Sequence, residues 1–117
     1  MKPKIIYSTR ILKRFSLFMD IAGIALFPFV ILKDSYKRLE SSARTQRIIR
    51  HESIHIKQQL ELLVLPFYVW YFVEWFIRLF GKGSAYRNIS FEREAKANEN
   101  DNQYLKTRKL FSFLKYI

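Results

Sequence analysis

His51-Glu52-Ser53-Ile54-His55 is the stretch from which the rest of the chain is read. On an α-helix the two histidines fall four residues apart on one face, about 6 Å apart at Cβ, so both imidazoles can aim at a single ion. Glu52 sits beside the first histidine, in reach of a water on that ion. It is the candidate general base of metal-assisted hydrolysis. The chain has no other histidine and no cysteine. A zinc site built here therefore draws on His and carboxylate ligands alone.

Working outward, a helix carrying the motif is expected to begin at Ser41 or Thr45, both good N-cap types, and to run without Gly or Pro to Leu65. Lys57 and Glu61 form an i,i+4 pair on its solvated face. Pro66 kinks or restarts the helix, and residues 67–80 are dense in Phe, Tyr and Trp, a composition suited to the headgroup boundary of a bilayer. Glu74 and Arg78, one turn apart, can neutralise each other there. Gly81-Lys82-Gly83-Ser84 closes this part of the 45–80 segment. A last helix is expected over 90–108, with Ser90 as cap and Glu92 and Glu94 in its first turn. The tail, 109–117, mixes lysines with bulky apolar residues and reads as an anchor for acidic lipid.

Upstream, residues 15–32 are apolar apart from Ser16 and Asp20, and no small-x-small cleavage site follows them. About 18 residues of helix reach roughly 27 Å, the lower limit for crossing a hydrocarbon core. Gly23 and Pro28 can instead break the run into a re-entrant hairpin. The chain of 117 residues fits one domain, 1–117, and its 21 Lys and Arg against 10 Asp and Glu give a net charge of +11. Such a charge calls for an anionic partner, and the apolar runs favour lipid headgroups over nucleic acid. The expectation is an all-α, small helical membrane-associated protein. Its motif helix packs against a later Glu-bearing helix, and the metal site faces the cytoplasmic side.

A catalytic zinc takes three protein ligands and keeps one position open. The third must be a carboxylate, and the cluster from Phe91 to Glu99 offers candidates that the intervening chain can bring back against the motif. Glu61 lies too far along the same helix, and Glu74 is embedded among aromatics. The His-Glu-x-x-His helix followed by Glu92-Arg93-Glu94-Ala95-Lys96 resembles the gluzincin metallopeptidases, in particular the zinc-type CAAX prenyl proteases and BlaR-like sensor proteases, which pair such a helix with a later Glu-x-x-Ala-Asp helix. The resemblance spans residues 50–101. It implies His51, His55 and Glu92 as Zn2+ ligands and Glu52 as general base. Lys96 stands where those families carry the Asp that orients a ligand histidine. Glu94, with Ala97-Asn98 behind it, offers the same pattern in a shifted register. Four tyrosines, Tyr68, Tyr71, Tyr86 and Tyr104, are available as oxyanion donors, and the sequence does not rank them.

The function implied is peptide-bond hydrolysis at a membrane surface, on a peptide or protein substrate. A rival of another class is a non-catalytic membrane protein whose zinc is structural or vestigial and which binds lipid or a partner subunit in a membrane complex. A basic nucleic-acid-binding protein is the second rival.

Overall fold

Ser42, the residue between the two expected caps, starts the central helix. Its hydroxyl oxygen accepts the Thr45 backbone N–H at 3.2 Å, and helix α2 then runs over Ala43–Glu61. These features come from a computed structural model, which describes residues 3–15 and 22–117.

A mixed sheet of order β1-β3-β2 packs on α2. Strand β1 (Lys4–Tyr7) runs parallel to β3 (Phe29–Leu32), with Ile5 opposite Val30, and helix α1 (Thr9–Phe15) leaves its end. Strand β2 (Gly23–Leu26) pairs antiparallel with β3, with Ile24 opposite Ile31. Ala25, Val30 and Leu32 bury themselves with Tyr36 and Ile56, and Ile48 and Ile49 of α2 pack against that cluster. Gly23 allows the close approach: a Cβ there would stand 2.6 Å from Leu32 Cδ2 and 3.2 Å from the Ile31 carbonyl oxygen. Gln59, on α2, seals the join. Its amide oxygen accepts the Phe27 N–H and its amide nitrogen donates to the Ala25 carbonyl, both at 2.8 Å.

The fold is thus mixed α and β, which corrects the all-α expectation. The helical segment expected at 15–32 is, from Gly23 onward, a β-hairpin, while residues 16–21 lie outside the described residues. An unbroken apolar run is equally the mark of strands buried on both faces. Here the β-branched Ile24, Val30 and Ile31 suit strands, with Gly23 at the start of β2 and Pro28 in the turn. Among the described residues no single helix is long and apolar enough to cross a membrane; α2 and the next helix pass that test only as a pair, and they are bent by 113°.

The bend is made by Leu63 and Val64, both at φ 61°. Val64 has ψ −69°, and the Leu65 N–H donates to the Leu63 carbonyl at 2.7 Å, which is a γ-turn. Helix α3 (Leu65–Arg78) follows with Pro66 in its first turn. Phe67 joins Ile89, Phe91 and Phe113 in a second core, onto which Tyr71 and Trp75 pack. After the short α4 (Ala85–Asn88) comes α5 (Ser90–Asn98), which ends ten residues short of the expected 90–108 helix. Ser90 is its first helical residue and not its cap. Glu74 of α3 takes that part, accepting the Ser90 N–H at 2.6 Å and the Ser90 hydroxyl at 2.7 Å. Helix α6 (Tyr104–Thr107) and a 3-10 turn (Ser112–Tyr116) return the chain to α5 and α3.

Arg108, at the end of α6, closes the molecule. Its guanidinium holds both oxygens of Glu61, at 2.7 and 3.0 Å, and also the Glu94 carboxylate, with all three side chains no more than 4% exposed. Glu61 is therefore engaged by Arg108 and not in the expected surface pair with Lys57. Burial works to raise the Glu94 pKa, but Arg108, Tyr104 and Gln58 outweigh it and hold the carboxyl below 4.5. The stability it contributes is complete above 4.5 and is lost as pH falls through the lower folded value. Arg108→Met leaves two buried carboxylates without their cation, and urea unfolding near pH 7 should show a loss of about 3–5 kcal/mol. The gap between variant and wild type should narrow at about pH 3, where the carboxylates are protonated in the unfolded chain.

Candidate metal centre

Helical spacing brings His51 and His55 one turn apart on α2, with ring centroids 5.0 Å apart and edge to face. Both Nε2 atoms approach one oxygen of Glu92, on α5: His51 at 3.2 Å and His55 at 3.1 Å. The three donor atoms lie within 4.8 Å of one another and could hold a metal ion. His55 and Glu92 are buried, and His51 is partly exposed.

The opposite ring nitrogens are also engaged. His51 Nδ1 meets Glu99 Oε2 at 2.7 Å, and His55 Nδ1 meets Gln58 Oε1 at 2.7 Å. Gln58 cannot be turned around. Its nitrogen donates to the Phe91 carbonyl at 3.2 Å and to Glu94 at 3.0 Å, both acceptors, so its oxygen must face His55. His55 Nδ1 therefore carries hydrogen, and by the same reasoning so does His51 Nδ1 against the Glu99 carboxylate. In the neutral rings both Nε2 lone pairs point toward Glu92. Lone pairs converging on a carboxylate need a cation between them, a proton or a metal.

In the metal-free chain a proton answers that need. Burial works against charging His55, yet Glu92 outweighs it and lifts the imidazole to about 9. Burial likewise works to raise Glu92, and the two histidines overcome it, holding the carboxyl well below the usual range. The His55 pKa stands above its ordinary 6.5, so the pair stabilises the metal-free fold fully below 6.5 and ceases to as pH rises through about 9.

Of the residues singled out from the sequence, His51, His55 and Glu92 form this cluster, and the others take differing parts. Glu94 points elsewhere, to Gln58, Tyr104 and Arg108. Lys96 is on the surface and pairs through Nζ with Glu99 Oε1 at 3.1 Å. Glu99, seven residues past Glu92, supports the His51 ring through Nδ1. Glu52 is 8% exposed and has no hydrogen-bonded partner among the described residues. Its carboxyl is pushed up by burial, a rise that His55 and His51 partly offset.

The geometry also ranks the tyrosines. Tyr71 donates to Glu92 Oε2 at 2.8 Å, and Tyr86 lies against the same carboxylate. Burial, then Glu92, pushes both hydroxyls far up, so they remain donors. Tyr68 serves the hairpin through the Ala25 carbonyl, and Tyr104 serves Glu94 at 2.6 Å. Gln58 and Glu99 are the functional residues that sequence reasoning missed. Their spacing, three residues after His55 and seven after Glu92, carries the signal only once α2 and α5 are known to face each other.

Compared with protein-family models, with curated proteins and with solved structures, the chain matches none.

With Zn2+ as the probe, chelator competition should give one ion per chain, lost in His55→Ala. Gln58→Leu and Glu99→Ala each free a ligand ring, and affinity should fall about 10–100-fold. Because metal displaces the proton shared by His55 and Glu92, wild-type affinity should rise between about pH 6 and pH 8.

Proposed function

We propose that this chain is a small zinc-dependent hydrolase of gluzincin type that cleaves a peptide bond near a membrane surface. One observation carries the reading: two imidazole nitrogens of a His-Glu-x-x-His helix and a carboxylate from a later helix converge, with each ring held from behind by its own hydrogen-bond partner. Two histidines and a glutamate are donors that zinc takes, and a second layer of acceptors is what such ligands require. The chemistry zinc supplies when bound is a lowered pKa for water and polarisation of a carbonyl.

The protein's own residues then divide the work. His51, His55 and Glu92 are the ligand set, with Gln58 and Glu99 as positioning residues. Glu52 is the general base. It is buried beside both rings, and its raised pKa brings it toward the range in which a carboxyl can take a proton and give it back. Tyr71 steadies Glu92, and Tyr86, an exposed residue whose hydroxyl lies against the same carboxylate, is the candidate donor for charge developing on a substrate oxygen.

Burial favours a second reading. With His55 5% and Glu92 6% exposed, the same site suits a structural zinc that braces α2 against α5. Glu52→Gln separates the two. Under the hydrolytic reading the variant keeps its zinc and its melting temperature but loses peptidase turnover by about 100-fold or more, assayed on a library of fluorogenic peptides. Turnover absent from wild type, or unchanged in the variant, leaves the structural reading standing.

A further inference from the structure

Helix α3 is apolar on both sides. Its inner side, with Phe67, Tyr71 and Glu74, belongs to the second core and the metal centre. On its outer side Val69, Phe72, Val73, Phe76 and Ile77 are each 49–62% exposed. A helix that is hydrophobic all round is found where both sides are covered, and here the folded chain covers one. The C-terminal turn extends the uncovered side. Phe113 packs edge-on against Trp70 at 5.2 Å, which brings Leu114 and Ile117 alongside, and Ile117 joins α3 in lining a groove of about 770 Å³.

Charge decides what the cover is. Arg78 lines the groove, paired with Glu74 at 3.7 Å, and the exposed Lys82, Lys109 and Lys115 flank α3 and the C-terminal turn in sequence. In α3 and residues 109–117 the single acid is Glu74, a buried residue at the groove whose carboxylate is engaged by Ser90, Trp70 and Arg78. A second copy of the chain would bring another +11 against this one. We propose that this face docks on the surface of an anionic lipid bilayer. α3 lies in the interface plane with its aromatic and aliphatic side chains in the acyl boundary and the flanking cations at the headgroups. At about 21 Å the helix lies along the membrane and does not cross it. The metal centre, reached through Tyr71 on the opposite side of the same helix, then sits about one helix diameter, 10–12 Å, from the headgroups.

The inference does not depend on bound metal. The test is co-sedimentation of the full chain with vesicles of phosphatidylcholine alone or with about one-third phosphatidylglycerol. Binding to the anionic vesicles, weakened by salt, is expected, and Phe72→Glu with Phe76→Glu should reduce it about tenfold or more. Circular dichroism and melting temperature of the double variant should match wild type, since both positions are exposed. Lys82→Glu with Lys115→Glu should weaken the salt-sensitive part alone. Equal binding to both vesicle types, no binding, or a self-association in analytical ultracentrifugation that the Phe72 and Phe76 changes abolish would overturn the proposal. Zinc content measured on the same samples keeps this outcome separate from that of the hydrolytic reading.

Discussion

The orientation of one buried amide governs the candidate metal centre. Gln58 must give its nitrogen to Glu94 and to the Phe91 carbonyl, and so has only an oxygen left for His55. That choice is made further back, by Arg108, which keeps Glu94 ionised and pins it with charge-assisted hydrogen bonds. A proton's position on a ligand ring is thus set by a guanidinium near the end of the chain, through Glu94 and Gln58. Buried networks of this kind stabilise when every member is paired and destabilise when one is lost.

Helix α2 distributes three tasks over neighbouring positions. His51, Glu52 and His55 face the centre, Gln59 binds the hairpin, and Glu61 receives Arg108. Gln58 and Gln59 are adjacent, both essentially without solvent exposure, and they serve opposite sides of the helix. Glu74 repeats the theme on α3: a carboxylate is spent inside the protein to orient the start of α5, which in turn carries Glu92 to the histidines. The histidine pair is local in sequence, but the carboxylate that meets it and the residues that aim it are not.

That division explains what could be read from the residues. The histidine pair and its helix were legible because i,i+4 spacing is a local property, and the carboxylate cluster at 91–99 was legible as a cluster. Glu92 was singled out through the resemblance and does stand with the histidines, whereas the parts of Glu94 and Glu99 were not legible, since each depends on a partner across a helix interface: Arg108 and His51 respectively. Ser90 carried the right chemistry for a cap and lost the position to Glu74 from another helix. The hairpin at 23–32 escaped because an apolar run of that length suits a strand, a buried helix or a membrane segment alike, and only its packing on Ile48 and Gln59 decides.

The turn between α2 and α3 has a consequence for how this fold is maintained. Left-handed backbone at Leu63 and Val64, without glycine at either, costs of order 1–3 kcal/mol per residue. Glycine would relieve it. Leu63 is 79% exposed, so what offsets that cost is the backbone: Val64 N–H donates to the Gln59 carbonyl at 2.6 Å and Leu65 N–H to the Leu63 carbonyl at 2.7 Å. The strained corner is held between two helices, and it sets the 113° bend that turns α3 away from the line of α2. The corner works as a fixed elbow: backbone tension at two residues is the cost of bringing Phe67 against Phe91, and so of laying α3 over the helix that carries Glu92.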